Sequence, residues 1–254
     1  MEVNSGFMRI AVVAAVVWLI FGQRAIAGPP LSIDDPGIVE PWHWEVIGAA
    51  TVTSGREGDY WQLPVLDISL GVIKDSVQVG FVYPYAHADT GDGGIKSDFG
   101  NAEVGVKWRF YASEHLQMAF APYYAFGVSR RIANKGIGAE NDAAVWPINA
   151  EYRINDRWSL NGELRYISVQ EQENAVGYGA AVAFAANARW MFMFEFAGES
   201  DTDFSDEFHE VRAGFDVALT DSFHLLFSLA TGVKDQNSPG ELDYDVFLGL
   251  QYLQ

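Results

Sequence analysis

The chain has 254 residues and carries 16 Lys and Arg residues against 34 Asp and Glu residues, a formal net charge of −18. This balance excludes nucleic acid as a partner, because displacing counterions from a polyanion requires Lys and Arg. The absence of cysteine excludes disulfides, thiolate metal sites and thiol nucleophiles. Aromatic residues make up 14% of the chain and 25 residues are glycine, which is high for a soluble domain and expected for a membrane barrel with aromatic girdles.

The first residues have the pattern of an export signal. Arg9 precedes an apolar run over Ile10–Phe21, and Ala25-Ile26-Ala27 supplies the small residues that a signal peptidase reads. We therefore predict a cleavable signal peptide over residues 1–27, with the cut after Ala27. An uncleaved anchor helix is the alternative, but the apolar run is short for a bilayer span, which needs about 20 residues.

Residues 28–41 are predicted to form a periplasmic lead-in, and residues 42–254 to form one barrel. In segment after segment of that barrel every second residue is apolar, most clearly in Ser97–Phe110. Because successive strand side chains point to opposite faces, each segment is predicted to have one face in lipid and one among charges and water. Soluble sandwiches also contain two-sided strands, but recurrence along the whole chain behind an export signal favours an outer-membrane barrel.

Two segments are less clear. Tyr60–Leu70 contains Pro64 and mixes its two faces, while Val176–Ala186 is rich in Ala and Gly. Counting both gives about twelve strands, an even number as in closed bacterial barrels. The predicted fold class is all-β, a single transmembrane antiparallel up-and-down β-barrel.

Short and long connections alternate along the chain. Such barrels keep short turns on the periplasmic side and longer loops outside, which predicts the orientation. The predicted periplasmic turns are Val72–Asp75, Ala112–Glu114, Ile154–Arg157, Ala186–Ala188 and Thr220–Ser222. The predicted extracellular loops are Ser54–Asp59, Ala88–Asp98, Ser129–Asp142, Gln170–Ala175, Glu199–Glu207 and Lys234–Glu241.

Charged side chains of both signs share the inward parity of the predicted strands. A charge inside a small barrel must be paired or hydrated, so the set is predicted either to fill the interior with ion pairs or to line a narrow water path that filters solutes by charge. A partial lattice of ion pairs can still leave a path. The candidate pore-lining residues are Glu103, Lys107, Arg109, Glu151, Arg153, Glu163, Arg165, Arg189, Glu195, Glu210, Arg212 and Asp216.

No catalytic, cofactor or metal site is predicted, and the chain is not expected to be an enzyme. Catalysis needs a base within reach of a nucleophile, and the inward-facing neighbours His224 and Ser228 are a pair common by chance. The acidic run Glu199–Glu207 lacks the glycine of an EF-hand loop and is interpreted as a solvated rim loop, with divalent ions bridging it to lipopolysaccharide phosphates as the alternative. The basic loop Ser129–Asp142 is expected either to contact those phosphates or to fold into the mouth against the acidic rim.

Two motifs resemble those of an outer-membrane transporter family named after the MetA pathway of phenol degradation. The first is the hairpin from Leu63–Asp67 to Tyr83-Pro84-Tyr85, and the second is the strand Phe99–Phe110, which ends in Gly-x-Lys-Trp-Arg-Phe. Asn101 departs from the family pattern, which usually has Asp there. The resemblance implies a small barrel that passes apolar or aromatic compounds.

The last strand resembles the C-terminal signal by which barrel-assembly machinery recognises its clients. Gly249 and Tyr252 fit that signal, whereas the chain ends Tyr252-Leu253-Gln254 rather than with an aromatic residue. An ordinary closing strand is the alternative. The predicted partners are therefore outer-membrane lipid and lipopolysaccharide, the barrel-assembly machinery and small-molecule solutes.

We thus expect a bacterial outer-membrane barrel for the passage of small solutes, with apolar or aromatic compounds suggested by the resemblance alone. The alternative is a closed structural or adhesion barrel whose extracellular loops bind external partners. Conductance separates the two.

Overall fold

The structure, a computed structural model, describes residues 30–55, 58–89, 94–204, 207–233 and 242–254. The predicted signal peptide lies outside these residues. The strands are β1 (Trp44–Gly55), β2 (Gly58–Ile73), β3 (Val77–Asp89), β4 (Lys96–Phe99), β5 (Glu103–Ala112), β6 (Leu116–Phe120), β7 (Tyr123–Ala125), β8 (Ala143–Arg153), β9 (Trp158–Val169), β10 (Ala175–Ala185), β11 (Trp190–Asp201), β12 (Glu207–Ala218), β13 (Phe223–Gly232) and β14 (Leu242–Leu253), with one helical turn, α1 (Arg130–Ala133).

These strands form one closed antiparallel barrel. β4 and β5 both pair with β3, and β6 and β7 both lie between β5 and β8, so each pair of short strands is one interrupted crossing of the wall. β1 pairs with β14 and closes the barrel, from Glu45 opposite Leu253 to Gly55 opposite Leu242. The described residues therefore make a 12-stranded barrel, which confirms the predicted fold class.

The alternation of side chains along β14 shows why the barrel forms. Leu248 and Leu250 point outward and are 48% and 47% exposed, whereas Asp245 and Phe247 point inward and are 7% and 4% exposed. An apolar outer face can lie in lipid because the closed ladder leaves no backbone N–H or C=O unpaired. Among the described residues, no helix is both long and apolar enough to cross a membrane.

The short connections lie where they were predicted, at one end of the barrel. They join β2 to β3, β5 to β6, β8 to β9, β10 to β11 and β12 to β13. Both ends of the barrel sequence lie at this end as well, since Gln254 donates its backbone N–H to the carbonyl of Trp44 at 3.1 Å. We call it the turn end and the opposite one the loop end.

The wall is irregular on one side. Pro64 in β2, Pro84 in β3, Pro122 between β6 and β7, and Pro147 in β8 lie on this side, with β5 between β3 and the β6–β7 crossing. Proline has no N–H to donate to a ladder, and it occurs at bulges or interruptions for that reason. Register shifts interrupt the pairings β1–β2, β2–β3 and β5–β6, and the β1–β14 pairing at Ser54–Gly55, whereas the pairings from β8 to β14 run without a shift.

The outer face of β14 offers a test of membrane depth. Leu248 lies midway between Tyr244 and Tyr252 on this face, so Leu248→Arg is expected to lower the free energy of unfolding by roughly 2–4 kcal/mol, as Arg does at the bilayer midplane. Tyr244→Arg, on the same face near the loop end, should cost about 0–1 kcal/mol. Urea unfolding in lipid vesicles measures both, and equal losses would contradict a lipid-facing wall.

Candidate functional site in the lumen

Residues 30–40, here called the N-terminal segment, lie inside the barrel against inward-facing side chains. The carboxylate of Glu195 accepts hydrogen bonds from the backbone N–H of Ser32 at 3.0 Å and of Ile33 at 3.1 Å, and from the hydroxyl of Ser32. The carboxylate of Glu163 accepts the backbone N–H of Asp34 at 2.9 Å. Two carboxylates of the wall therefore hold the main chain of the segment.

The other side of the segment is held by β3 and β5. The Lys107 ammonium lies 2.7 Å from the Asp34 carboxylate and donates to the carbonyl of Asp35 at 2.9 Å. The side-chain oxygen of Gln78 accepts the backbone N–H of Val39 at 2.9 Å. These contacts cross the lumen, because the strands that carry Glu195 and Lys107 lie on different sides of the barrel.

Two glycines of the wall make room for the segment. A Cβ at Gly179 would overlap the Cγ2 of Ile33, and a Cβ at Gly71 would overlap the carbonyl oxygen of Glu40. Pro41 then forms a bridge with Gly71, after which the chain enters β1. The sequence predicted only a periplasmic lead-in over residues 28–41, and the structure places residues 30–40 of it among the inward-facing side chains.

Arg212 is the centre of a buried ion-pair cluster on β11–β14. The guanidinium is 3% exposed and lies 2.7 Å from Asp245, 3.5 Å from Glu210 and 3.8 Å from Glu195, and it donates to the Ser228 hydroxyl at 2.9 Å. The same Glu195 holds the N-terminal segment, so the segment and the cluster share a carboxylate. Ser228 is thus bonded to arginine, and no contact joins it to His224 within the described ranges.

Arg165 forms a second cluster nearer the loop end. The guanidinium lies 3.0 Å from Glu163 and 3.4 Å from Glu199, and it donates to the carbonyl of Ser32 at 3.3 Å. Glu163 and Arg165 therefore bind the N-terminal segment as well as each other. The structure thus brings several candidate pore-lining residues together around the N-terminal segment. They are Lys107 and the candidates in the Arg165 and Arg212 clusters.

Five other candidates lie near the turn end, and within the described residues none of them is bonded to the N-terminal segment. The ring Nδ1 of His224 lies 2.8 Å from Asp216, and Arg109 donates to the side chain of Gln117 at 2.8 Å. Arg189 is exposed and lies in the turn before β11, outside the strands where parity placed it. The five are Arg109, Glu151, Arg153, Arg189 and Asp216.

Two cavities lie beside the N-terminal segment. The lower cavity, of about 450 Å³, extends to the turn end and is lined by Asp34, Asp67 and Lys107 among others. The upper cavity, of about 70 Å³, faces the loop end. Glu103 and Tyr123 line both cavities, so a solute moving from one to the other passes these two side chains.

The sequence missed several inward-facing polar residues. Asp67, Gln78, Asn149 and Asp245 are at most 9% exposed and point into the lumen from β2, β3, β8 and β14. For Gln78, Asn149 and Asp245, an inward-facing residue two positions away could have shown that the side chain points into the lumen. For Asp67 this was not possible, because the irregular segment of β2 decides which way the side chain points. No group of three or more His, Cys, Asp or Glu side chains in the described part of the chain is arranged to hold a metal ion.

The loop between β7 and β8 folds over the loop end of the barrel. The Asn101 amide donates to the carbonyls of Phe126 at 2.6 Å and Ala139 at 2.9 Å, and its oxygen accepts the N–H of Ala139 at 2.8 Å. Ile137, from the same loop, is fully buried against Tyr60 and its neighbours. Asn101, where the family pattern has Asp, thus closes the loop with an amide that donates and accepts.

The basic side chains of this loop contact the barrel. Lys135 and Arg131 lie 2.9 and 3.3 Å from the Asp98 carboxylate. The loop was expected either to contact lipopolysaccharide phosphates or to fold into the mouth against the acidic rim. The contacts with Asp98 agree with the second alternative. Where the loop ends, the Tyr124 hydroxyl and the Gly127 N–H bond to Asp142 and hold the pKa of its carboxyl below the usual range.

The interpretation of Glu199–Glu207 as a solvated loop is wrong for its first residues. β11 continues to Asp201, and Glu199, Ser200 and Asp201 are 5%, 2% and 8% exposed. A strand that continues past the expected rim carries its inward-facing charges into the lumen, and Glu199 reaches Arg165 for that reason.

No protein-family model and no curated protein matches the chain. The fold is similar to that of solved outer-membrane barrels. An outer membrane channel from Pseudomonas putida F1 is 11% identical with a TM-score of 0.69, over 88% of this chain and 100% of that one. The KdgM and NanC porins are 9% and 10% identical with TM-scores of 0.58, each over 82% of this chain and 98% of theirs. The chain therefore has the fold of these outer-membrane β-barrels, and the family suggested by the motifs stays a prediction.

The role of Asn101 is tested by Asn101→Asp. A carboxylate only accepts hydrogen bonds, so the loop loses two, each worth about 1 kcal/mol. We expect the rate of trypsin cleavage after Arg130, Arg131 or Lys135 to rise about 5- to 30-fold, in proportion to the opened population.

The matched control is Asn155→Asp. Asn155 only accepts, from the backbone N–H groups of Arg157 and Trp158, so Asp should replace it without effect. Cleavage is followed by mass spectrometry on protein in vesicles, and equal rates in wild type and Asn101→Asp would refute the role of Asn101 in holding the loop closed.

Proposed function

We propose that the protein is an outer-membrane channel for small solutes whose lumen is closed by its own N-terminal segment. The observation that carries this proposal is the segment's position between two cavities, held by polar contacts with both sides of the wall. The fold similarity to barrels named as channels and porins supports it. Cleavage after Ala27, assembly by the barrel machinery and contact with lipopolysaccharide belong to the same proposal.

The polar character of these contacts favours reversible closure. Hydrogen bonds to charged groups contribute about 1.5–3 kcal/mol each, and water can replace both partners when the segment moves. Ile33, buried against Gly179, and the fully buried Pro36 are apolar anchors. A segment held mainly by such polar bonds and by a few apolar side chains can shift in parts, which a segment packed into an apolar core cannot.

The charged groups of the lower cavity favour cationic solutes over anionic ones. Carboxylates outnumber cations around the lower cavity, where Asp34, Asp67 and Glu103 face Lys107, and such a wall raises the local concentration of cations and repels anions. The lining also includes apolar side chains, among them Val82 and Tyr123 in the lower cavity and Val145 and Ile167 in the upper one, which offer contacts to the apolar or aromatic solutes implied by the family resemblance. That finer assignment stays a prediction, to be tested by uptake of toluene into vesicles.

The closed structural or adhesion barrel is the second candidate, favoured by the filled lumen. The two differ in what happens when the segment is loosened. In a channel the ionic current across the bilayer rises. In a closed barrel the remaining ion pairs still block the lumen, and no current is recorded.

Lys107→Gln loosens the segment without altering its sequence. Loss of the Asp34 and Asp35 contacts should raise the open population about tenfold, the effect of roughly 1.4 kcal/mol, and make the reversal potential in a salt gradient more cation-selective. Single-channel recording measures both. Arg153→Gln, which removes an equal charge near the turn end, is the control and should leave the open population unchanged.

A reversible lock gives a second test, since the chain has no cysteine of its own. Ile33→Cys with Gly179→Cys places two thiols at the contact between segment and wall. Oxidation should reduce the conductance of the double variant to baseline, and dithiothreitol should restore it. The conductance of each single variant should change with neither reagent. If the disulfide forms and the current persists, the N-terminal segment does not close the lumen. If neither the wild type nor any variant conducts, the closed structural or adhesion barrel is supported.

A further inference from the structure

Two carboxylates in the lower cavity stand apart from all the other buried acids. Asp67 and Glu103 are 9% and 8% exposed, and in the described part of the chain neither accepts a hydrogen bond nor contacts a cation. By contrast Glu163, Glu195 and Asp245 are each bonded to an arginine or a backbone N–H. An uncompensated buried carboxylate costs several kcal/mol, so this pair requires a ligand, water or a proton.

The strand register brings the two carboxylates to one part of the wall. Asp67 on β2 is opposite Val82 on β3, and Val82 is opposite Glu103 on β5. Two strand spacings of about 4.8 Å separate the Cα atoms of the two acids by roughly 10 Å. Both side chains line the same cavity, with the inward-facing Val82 between them on the wall, so a small group can bridge the two carboxylates from the cavity side of the valine.

The charge around the pair is negative. Lys107 is the cation of this cavity among the described residues, and its ammonium is already bonded to Asp34 and the Asp35 carbonyl. Glu45, which also lines the cavity, receives a hydrogen bond from the neutral side chain of Gln251. A cation that enters the cavity therefore meets two carboxylates without competing for a partner.

The chemistry favours an organic cation over a metal ion. Two carboxylates on strands separated by β3 are too few for calcium, which takes 6–8 oxygens. The cavity of about 450 Å³ has the size of a small-molecule site and also contains Val82 and the ring of Tyr123. An alkyl chain can pack against the valine, and an ammonium can lie near the aromatic ring.

We propose that Asp67 and Glu103 form a binding subsite for small alkylammonium ions in the lower cavity. The ammonium lies between the two carboxylates, and the alkyl chain lies along Val82 and Tyr123. This subsite deepens the proposed channel function by naming a solute class, and because Glu103 also lines the upper cavity, the bound cation lies at the passage between the cavities.

Calorimetric titration of n-butylammonium chloride into the purified protein in micelles, at constant ionic strength, tests the subsite without requiring conduction. We expect saturable binding, weakened about tenfold by Glu103→Gln or Asp67→Asn and lost in the double variant. Glu40→Gln, which removes an exposed carboxylate at the edge of the same cavity, should change the dissociation constant less than twofold. The neutral isostere 1-butanol and the anion butyrate should not bind.

The outcomes separate the subsite from the channel. Butylammonium binding to a protein that never conducts would support the subsite and refute the channel. No binding to the wild type, equal binding of 1-butanol, or unchanged binding by both single variants would overturn the subsite. Because both substitutions are near-isosteric and remove an unpaired charge, the variants are expected to fold, which gel mobility with and without heating verifies.

Discussion

The rest of the structure depends on one constraint: in lipid, the backbone hydrogen bonds of the wall must be made within the wall. Pairing of β1 with β14 satisfies it, and the closed ladder then sends every second side chain inward. Eight strands enclose a space that side chains fill, and sixteen leave an open pore. Twelve strands leave a lumen that needs more than its own side chains, and residues 30–40 occupy it. The position of the N-terminal segment follows from the size of the barrel.

The segment and the buried charges depend on each other. Glu195 has Arg212 on one side and the N–H groups of Ser32 and Ile33 on the other. Without the segment this carboxylate would lose backbone donors in a place where an unpaired charge is expensive. Without the carboxylates the segment would have few anchors, since its main chain, not its side chains, makes most of the contacts. Water can stand in for either partner, which is the physical basis of the reversible closure proposed above.

The sequence predicts what depends on local periodicity and misses what depends on contacts between distant residues. The alternation in Ser97–Phe110 is confirmed by β4 and β5, and the small residues of Val176–Ala186 form β10. Asp67 was missed because the bulge near Pro64 moves the inward face from Tyr60 and Gln62 to Val65 and Asp67, and one extra residue reverses the parity of a strand. The bond from Ser32 to Glu195 joins residues 163 positions apart, a separation that no local pattern encodes.

The two sides of the barrel have different tasks. From β8 to β14 the register is unbroken, and the inward charges Arg165, Arg212 and Asp245 are in ion pairs. From β2 to β7 prolines interrupt the wall, and this side contributes Asp67, Glu103 and Tyr123 to the cavities. A solute path requires groups that are not already satisfied by the protein, because a fully paired wall offers a solute nothing in exchange for its hydration. The irregular side supplies such groups, and we expect the path to run along it, with the regular side as the support against which the N-terminal segment is held.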